Sequence, residues 1–98
     1  MSFDERVWQV CKRIPKGKVS TYKEIAKALK TKAYRAVGNA LHKNPYAPIV
    51  PCHRVVNSDG RIGGFAGGVR KKTSILEKEG VRVKCYRVDL SLYFKRLS

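Results

Sequence analysis

Pro45, Pro48 and Pro51 stand three residues apart, and no helix can run through that spacing. Each ring lacks the N–H that an intrahelical bond requires and clashes with the turn before it, at about 3 kcal/mol or more. The chain therefore divides into a helical first part and a second part that starts afresh after Pro51. In the first part, Ser2-Phe3-Asp4-Glu5 has the form of a capping box, with Ser at the N-cap and Glu three residues on. Phe3, Val7, Val10, Cys11 and Ile14 follow at helical spacing and predict an amphipathic helix over residues 3–13, closed by Pro15 and Gly17. Thr21-Tyr22-Lys23-Glu24 repeats the capping pattern and opens a short helix that buries Ile25, Ala26 and Leu29. A third helix is predicted from about residue 33 to 43, with Ala33, Ala36, Val37, Ala40 and Leu41 on one side. Two short helices joined by a few residues have the form of a helix-turn-helix.

Beyond the prolines, Val55-Val56, the turn Asn57-Ser58-Asp59-Gly60, and Arg61-Ile62 read as a small hairpin. Gly63, Gly64, Gly67 and Gly68 surround Phe65 in a flexible or tightly bent loop. A fourth helix is predicted from Val69 to Glu79, stopped by Gly80. Val81, Val83 and Cys85 alternate with Arg82 and Lys84 as in a strand, and Asp89 can cap a last helix carrying Leu90, Tyr93, Phe94 and Leu97. A chain of 98 residues has room for one core. The expected fold class is mainly α with a small β wing, a winged helix-turn-helix, as one domain over residues 1–98.

Charge narrows the partner. Lys and Arg number 22 against 7 Asp and Glu, a net charge of +15. Such a balance favours a polyanion, nucleic acid first and an acidic membrane surface second, though a merely lysine-rich protein has the same signature. The apolar stretches are too short to span a bilayer, and the acidic Met1–Glu5 start lacks the apolar region of a signal peptide. No membrane association is expected, and the expected location is intracellular, either cytoplasmic and nucleoid-associated or nuclear.

Cys11, Cys52 and Cys85 are odd in number and irregularly spaced. That argues against a disulfide framework and matches no zinc site, so no metal is expected. Cys11 and Cys85 sit in apolar patterns and read as buried small hydrophobes. Cys52 is different, with Pro51 before it and His53-Arg54 after it. A cysteine attacks as thiolate, so it needs a base or a positive charge nearby. In an extended segment neighbouring side chains point to opposite faces. His53 would then reach the sulfur through a turn or a bridging water. The imidazole also needs an orienting acceptor, and Glu77 and Glu79 are the candidates. A Cys-His pair taken alone equally fits a buried cysteine beside an incidental histidine.

More than the pair is present. Pro51-Cys52-His53-Arg54-Val55, Ser20-Thr21-Tyr22-Lys23-Glu24-Ile25-Ala26, Arg35-Ala36-Val37-Gly38, Asn44-Pro45, Gly63-Gly64-Phe65-Ala66-Gly67-Gly68 and Glu77-Lys78-Glu79-Gly80 all occur along the chain at compatible spacing. From Phe3 to about Asp89 the chain resembles the active-site domain of the O6-alkylguanine-DNA alkyltransferases, the methylated-DNA–protein-cysteine methyltransferases. The resemblance implies direct DNA repair. An alkyl group leaves O6-alkylguanine, with O4-alkylthymine as a further substrate, and passes irreversibly to Cys52 in a single turnover without a cofactor. It implies catalytic roles for Cys52, His53, Glu79, Tyr22 and Asn44, with Asn44-Pro45 as a hinge. It implies DNA contacts by Arg35, Tyr22, Ala36 and Gly38, and a lesion pocket from Val55, Gly64, Phe65 and Ala66.

In this scheme the guanine is flipped from duplex DNA approached through the minor groove, Arg35 fills the vacated stack, and Tyr22 assists rotation and departure. His53, oriented by Glu79, deprotonates Cys52 through water. The carbonyls of Cys52 and Val55 resemble the groups that read the guanine amino group. Small residues at Ala36, Gly38 and Ala40 fit a close approach to DNA or, equally, tight helix packing. The expected assembly is a monomer. Two departures stand out: family members usually carry an additional N-terminal domain, expected to be absent here, and Ala66 occupies a place where several relatives have serine. Small alkyltransferase-like proteins of this size, which flag alkylated bases without transfer, typically replace the cysteine, so Cys52 favours the enzyme. A sequence-specific winged-helix regulator would need polar base-reading side chains, and residues 33–41 offer mainly Ala, Val and Gly.

Overall fold

A computed structural model describes residues 1–46, 49–63 and 68–97 of the chain. Its first element, α1 (Phe3–Cys11), starts where the capping box places it. Glu5 N–H donates to Ser2 Oγ and Ser2 N–H to Glu5 Oε1, each at 3.2 Å. Such a cap stabilises a helix by about 1 kcal/mol. The helix ends two residues earlier than its apolar pattern, because Arg13 and Ile14 N–H bond back in tighter turns to Val10 and Cys11.

The helix-turn-helix is present as α2 (Tyr22–Ala28) and α3 (Tyr34–His42). Thr21 Oγ1 caps α2 by accepting the Glu24 N–H at 3.0 Å. The Glu24 carboxylate serves a different end of the chain, accepting the Leu97 N–H at 2.7 Å. Between the helices Lys30 adopts a left-handed φ of 58°. Lys30 N–H and Thr31 N–H then return to the carbonyls of Lys27 and Ala26, the closure usually built on glycine. Val7, Val10, Cys11, Ile14, Ile25, Val37, Ala40, Leu41 and Val50 form the helical core, joined by Val55. Burying Ile25 alone is worth about 1.5–3 kcal/mol. Leu29, at the end of α2, is only half-buried, and Ala33, at the start of α3, is exposed, so the apolar sides of both helices are narrower than the sequence implied.

The β structure differs from the sequence expectation. Asn57–Gly60 is a turn, closed by Gly60 N–H to the Asn57 carbonyl and Asn57 N–H to the Arg61 carbonyl. The flanking residues find other partners. Strand β2 (Val55–Val56) runs parallel to β1 (Ser20–Thr21). Arg61 bridges to Arg87. The hairpin of the wing is β3 (Val83–Lys84) with β4 (Arg87–Val88). Its two-residue loop is Cys85-Tyr86, both at positive φ, as the right-handed strand twist demands. Cys85 is therefore exposed at a loop tip, and its expected burial is corrected. The alternation that suggested a strand from Val81 to Cys85 began two residues too early and ended one too late. Helix α4 (Val69–Lys78) stops as expected: Gly80 at φ 92° lets Val81 N–H reach the Leu76 carbonyl. Leu76, Val81, Val88, Val19 and Val56 make a second apolar cluster, over which α5 (Leu90–Tyr93) folds from its Asp89 cap. No helix among the described residues is long and apolar enough to cross a membrane.

Gly60 joins the turn to the wing: its carbonyl accepts the Val88 N–H at 2.8 Å. Its φ is +90°, and a Cβ there would lie 2.6 Å from the Val88 carbonyl oxygen. Gly60→Ala should therefore lower stability by about 2–4 kcal/mol. A urea melt followed by circular dichroism measures this, and a loss below about 1 kcal/mol would mean the wing shifts without cost.

Candidate active site

Pro51 leads into a single 3₁₀ turn, Cys52–Arg54, that ends at β2. This turn replaces the extended segment anticipated from sequence, so Cys52, His53 and Arg54 fan out around a tight axis instead of alternating between two faces. Asn44 sets its position from outside. Asn44 Nδ2 donates to the Val50 carbonyl at 2.8 Å and Asn44 Oδ1 accepts the Tyr46 N–H at 2.9 Å. Cys52 N–H bonds the same Val50 carbonyl at 2.8 Å. Cys52 itself is partly exposed and packs at the edge of the helical core.

His53 is buried, with Nε2 3.0 Å from Glu79 Oε1. Burial pushes the imidazole below its ordinary value, and the Glu79 contact only partly restores it. The ring is thus neutral near pH 7. With Nε2–H donating to the carboxylate, Nδ1 keeps a lone pair that can take a proton. Glu77, the other acidic candidate, does not make this contact among the described residues.

Glu79 has a second partner that the sequence reading left out. Arg54 grips both its oxygens, Nε to Oε1 at 2.9 Å and Nη2 to Oε2 at 2.6 Å, while Nη1 donates to the Ile14 carbonyl at 2.8 Å. The Arg54 hydrogen bonds hold the Glu79 carboxyl below the usual carboxylate range against the effect of burial, and His53 adds to them. Glu79 is accordingly ionised whenever His53 must be oriented.

Lys72 is the other residue missed. It lies on α4, fully buried, where Nζ donates to the carbonyls of Val55 at 2.7 Å and Ile62 at 2.6 Å. Its Nζ also stands 6.0 Å from the ring centre of Tyr22. The Arg70-Lys71-Lys72 run hid it among surface charge. The usable signal was spacing, since Lys72 precedes the apolar Leu76 by one helical turn.

The remaining expected residues fall in two groups. Tyr22 begins α2, half-buried, its phenol pushed above the ordinary value by burial and by nearby Cys52 and Cys11. Val55 is buried, and its carbonyl is already engaged by Lys72. The Cys52 carbonyl accepts the Val55 N–H. Each carbonyl keeps one further lone pair. Arg35 is exposed on α3 and makes no hydrogen bond or ion pair among the described residues. Ala36 and Gly38 are half-buried on the same helix. A Cβ added at Gly38 meets nothing within 4 Å among the described residues, so tight packing against them is not the reason for that glycine. Ala40 is fully buried within the helical core. Gly64, Phe65 and Ala66 of the expected pocket lie outside the described residues. No group of His, Cys, Asp and Glu among the described residues is placed to hold a metal ion.

Known proteins resemble this arrangement. The family described as 6-O-methylguanine DNA methyltransferase, DNA binding domain, matches residues 2–81. A methylated-DNA–protein-cysteine methyltransferase of Sulfolobus acidocaldarius is 51% identical over 83 residues, covering 85% of this chain and 52% of the relative. One from Saccharolobus islandicus is 53% identical over 77 residues, covering 79% and 50%. The chain thus spans about half the length of the curated relatives it matches. Among solved structures, Mycobacterium tuberculosis OGT in complex with DNA superposes with a TM-score of 0.77 at 44% identity, over 81% of this chain and 50% of that one. S. pombe Atl1 in complex with damaged DNA containing O6-carboxymethylguanine superposes with a TM-score of 0.83 at 37% identity, over 98% and 99% of the two chains.

The buried ammonium of Lys72 has a measurable signature. Burial lowers its pKa from 10.5 to about 8, opposed in part by the nearby Cys52 and Cys11. Between these values the unfolded chain binds more protons than the folded one, so stability rises with pH. The contribution is complete above about pH 10.5 and is lost as pH falls through about 8. Urea melts from pH 8 to 10 should show stability rising more steeply in the native chain than in Lys72→Met, by up to about 1.4 kcal/mol per pH unit. Equal slopes would mean Lys72 carries its charge without penalty.

Proposed function

The chain belongs to the 6-O-methylguanine DNA methyltransferase family, matched through its DNA-binding domain, and from that membership we propose that it repairs alkylated DNA by taking the alkyl group onto Cys52. The observation that carries the proposal is the Cys52–Arg54 turn, which sets a partly exposed thiol next to a buried, neutral histidine bonded to an ionised glutamate. His53 takes the Cys52 proton, directly or through one water, while Glu79 holds the ring and favours the imidazolium that forms. The thiolate attacks the alkyl carbon of O6-alkylguanine in line. A C–S bond forms, the C–O bond breaks, and the electron pair returns to the guanine. The proton released from Cys52 ends on the guanine ring, and a hydrogen bond from Tyr22 eases that departure. The thioether has no leaving group, so each molecule acts once. O4-alkylthymine is a further substrate of the same chemistry.

DNA is the proposed partner, and the net charge of +15 supports it. The proposed approach is through the minor groove by α3, as a monomer, with Arg35 filling the stack left by the flipped base. Asn44 and Arg54 act as positioning residues for the turn, and no cofactor enters the reaction. Binding and transfer are assigned to the one domain formed by these residues, acting wherever the cell keeps its DNA.

One observation favours a second reading, lesion binding without transfer: the likeness to Atl1 extends over 98% of this chain and 99% of that one. Intact-protein mass spectrometry after incubation with O6-methylguanine duplex separates the two. The chain should gain the mass of one methyl in place of one hydrogen, on a peptide containing Cys52, and Cys52→Ala should gain nothing while still binding DNA. An unchanged mass in a stable lesion complex would replace transfer with lesion binding.

Gly38 provides a second check. Among the described residues nothing occupies the space its missing side chain leaves. Gly38→Ala should therefore stabilise the fold by about 0.5–1 kcal/mol, as an alanine in a helix does. If the helix approaches DNA closely there, the same variant should bind duplex several-fold more weakly. A rise in melting temperature with unchanged affinity would remove Gly38 from the DNA contact.

A further inference from the structure

Cys11 is a nucleophilic group for which alkyl transfer has no use. It is the last residue of α1 and fully buried in the helical core. Cys52 packs against that same cluster from a partly exposed position. Hydrogen bonds hold the two segments together. Ile14 N–H donates to the Cys11 carbonyl at 3.1 Å, and the Ile14 carbonyl accepts Arg54 Nη1, from the turn that holds Cys52, at 2.8 Å. Burial pushes the Cys11 thiol up to about 12, and among the ionisable groups acting on it Cys52 is the strongest, ahead of Arg54 and Lys72. Such influence falls with distance, which agrees with the shared packing. Cys85, the third thiol, is exposed at the tip of the wing hairpin.

Access sets an order of reaction between Cys11 and Cys52. A dissolved oxidant meets Cys52, whereas a thiol buried among apolar groups is inert on its own. His53 makes Cys52 the more reactive of the two by accepting its proton. The first oxidation product of a thiolate is a sulfenic acid, whose sulfur is electrophilic. It either condenses with a thiol or is oxidised again to a sulfinic acid, from which ordinary thiols do not return it. A thiol already packed in the neighbouring core decides that competition without diffusion. Alanine or valine would serve the packing at Cys11, but neither could meet a sulfenic acid.

We propose that Cys11 is a resolving thiol for Cys52, so that peroxide converts the pair into an intramolecular disulfide which added thiols reverse. Hydrogen peroxide oxidises the Cys52 sulfur by two electrons. The O–O bond breaks, an S–O bond forms, and the Cys52 proton leaves with the other oxygen as water. The Cys11 sulfur then attacks the Cys52 sulfur. An S–S bond forms, the S–O bond breaks, and the Cys11 proton leaves with that oxygen as a second water. The inference rests on the alkyl-transfer reading only for its consequence: the disulfide withdraws the accepting thiol and keeps it recoverable in a protein that uses it once.

The test exposes the full chain to a small excess of hydrogen peroxide, blocks the remaining thiols with iodoacetamide, and maps the peptides by mass spectrometry without reductant. The native chain should lose the mass of two hydrogens, with the Cys11 and Cys52 peptides joined and Cys85 carrying the blocking group. Cys11→Ala should transfer methyl from O6-methylguanine duplex as the native chain does before oxidation, and should accumulate sulfinic acid at Cys52 after it. Cys11→Val fills the site better and gives the same reading if alanine unfolds the chain. After peroxide and then dithiothreitol, the native chain should recover transfer several-fold above either variant. Sulfinic acid at Cys52 beside a free Cys11 in the native chain, a bond to Cys85, or a bond between two chains would overturn the resolving role. A Cys11–Cys52 bond in a chain that never methylates Cys52 would retain the pair and remove alkyl transfer. Methylation without the bond would do the reverse.

Discussion

Two side chains of the Cys52–Arg54 turn converge on the Glu79 carboxylate, and the geometry of the reactive turn follows from that convergence. A bare turn beside three prolines has few bonds of its own. Here Arg54 spans from the Ile14 carbonyl, past the end of α1, to Glu79 at the end of α4. Three segments distant in sequence are thereby held to one planar guanidinium. The pair is largely withdrawn from water, with side chains 16% and 12% exposed. Removing one partner would strand the other, which costs more than the pair contributes when whole. His53 borrows a carboxylate whose charge and direction Arg54 has already fixed.

Lys72 is the complementary cation, and it works by a different route. A buried ammonium without partners is prohibitive, so the fold surrounds it with carbonyl oxygens, those of Val55 and Ile62. The bonds pin both sides of the Asn57–Gly60 turn to α4. They also set a positive charge beneath Tyr22 and near Cys52, in a region where low polarity makes such a charge felt. The desolvation of Lys72 is a cost in stability that the site carries for its electrostatics.

Much of this was legible in the sequence. Apolar spacing and capping residues set α1, α2 and α3 to within two residues, because those helices are local objects decided by local rules. Cys52, His53 and Glu79 were identified together, and Glu79 was separated from Glu77 only by family resemblance, since both lie near the same helix end. What could not be read was non-local. Val55-Val56 chose Ser20-Thr21 as its partner over its own neighbours, a decision made by burial on both faces. The wing hairpin escaped because Cys-Tyr is an unusual pair for a loop that requires two left-handed residues. Arg54 and Lys72 were seen as charges, and charge in a chain this basic says little about where it points.

Val55 and Val56 are adjacent, yet their side chains belong to different apolar clusters, one among the helices and one under α4 and the wing. The short parallel ladder they form with Ser20-Thr21 is thus a seam between two packed halves. Cys52 and His53 lie in the turn leading into that seam, with Cys52 packed against the helical half, whereas Glu79 caps the helix that anchors the other. The His53–Glu79 contact, and with it the proposed proton relay, is consequently a property of docking, not of either half. Were the seam to open locally, the helices and the hairpin would persist while the histidine lost its acceptor. Amide exchange at Val55 and Val56 then reports the fraction of molecules in which the two halves are docked, a quantity that helical content would overstate.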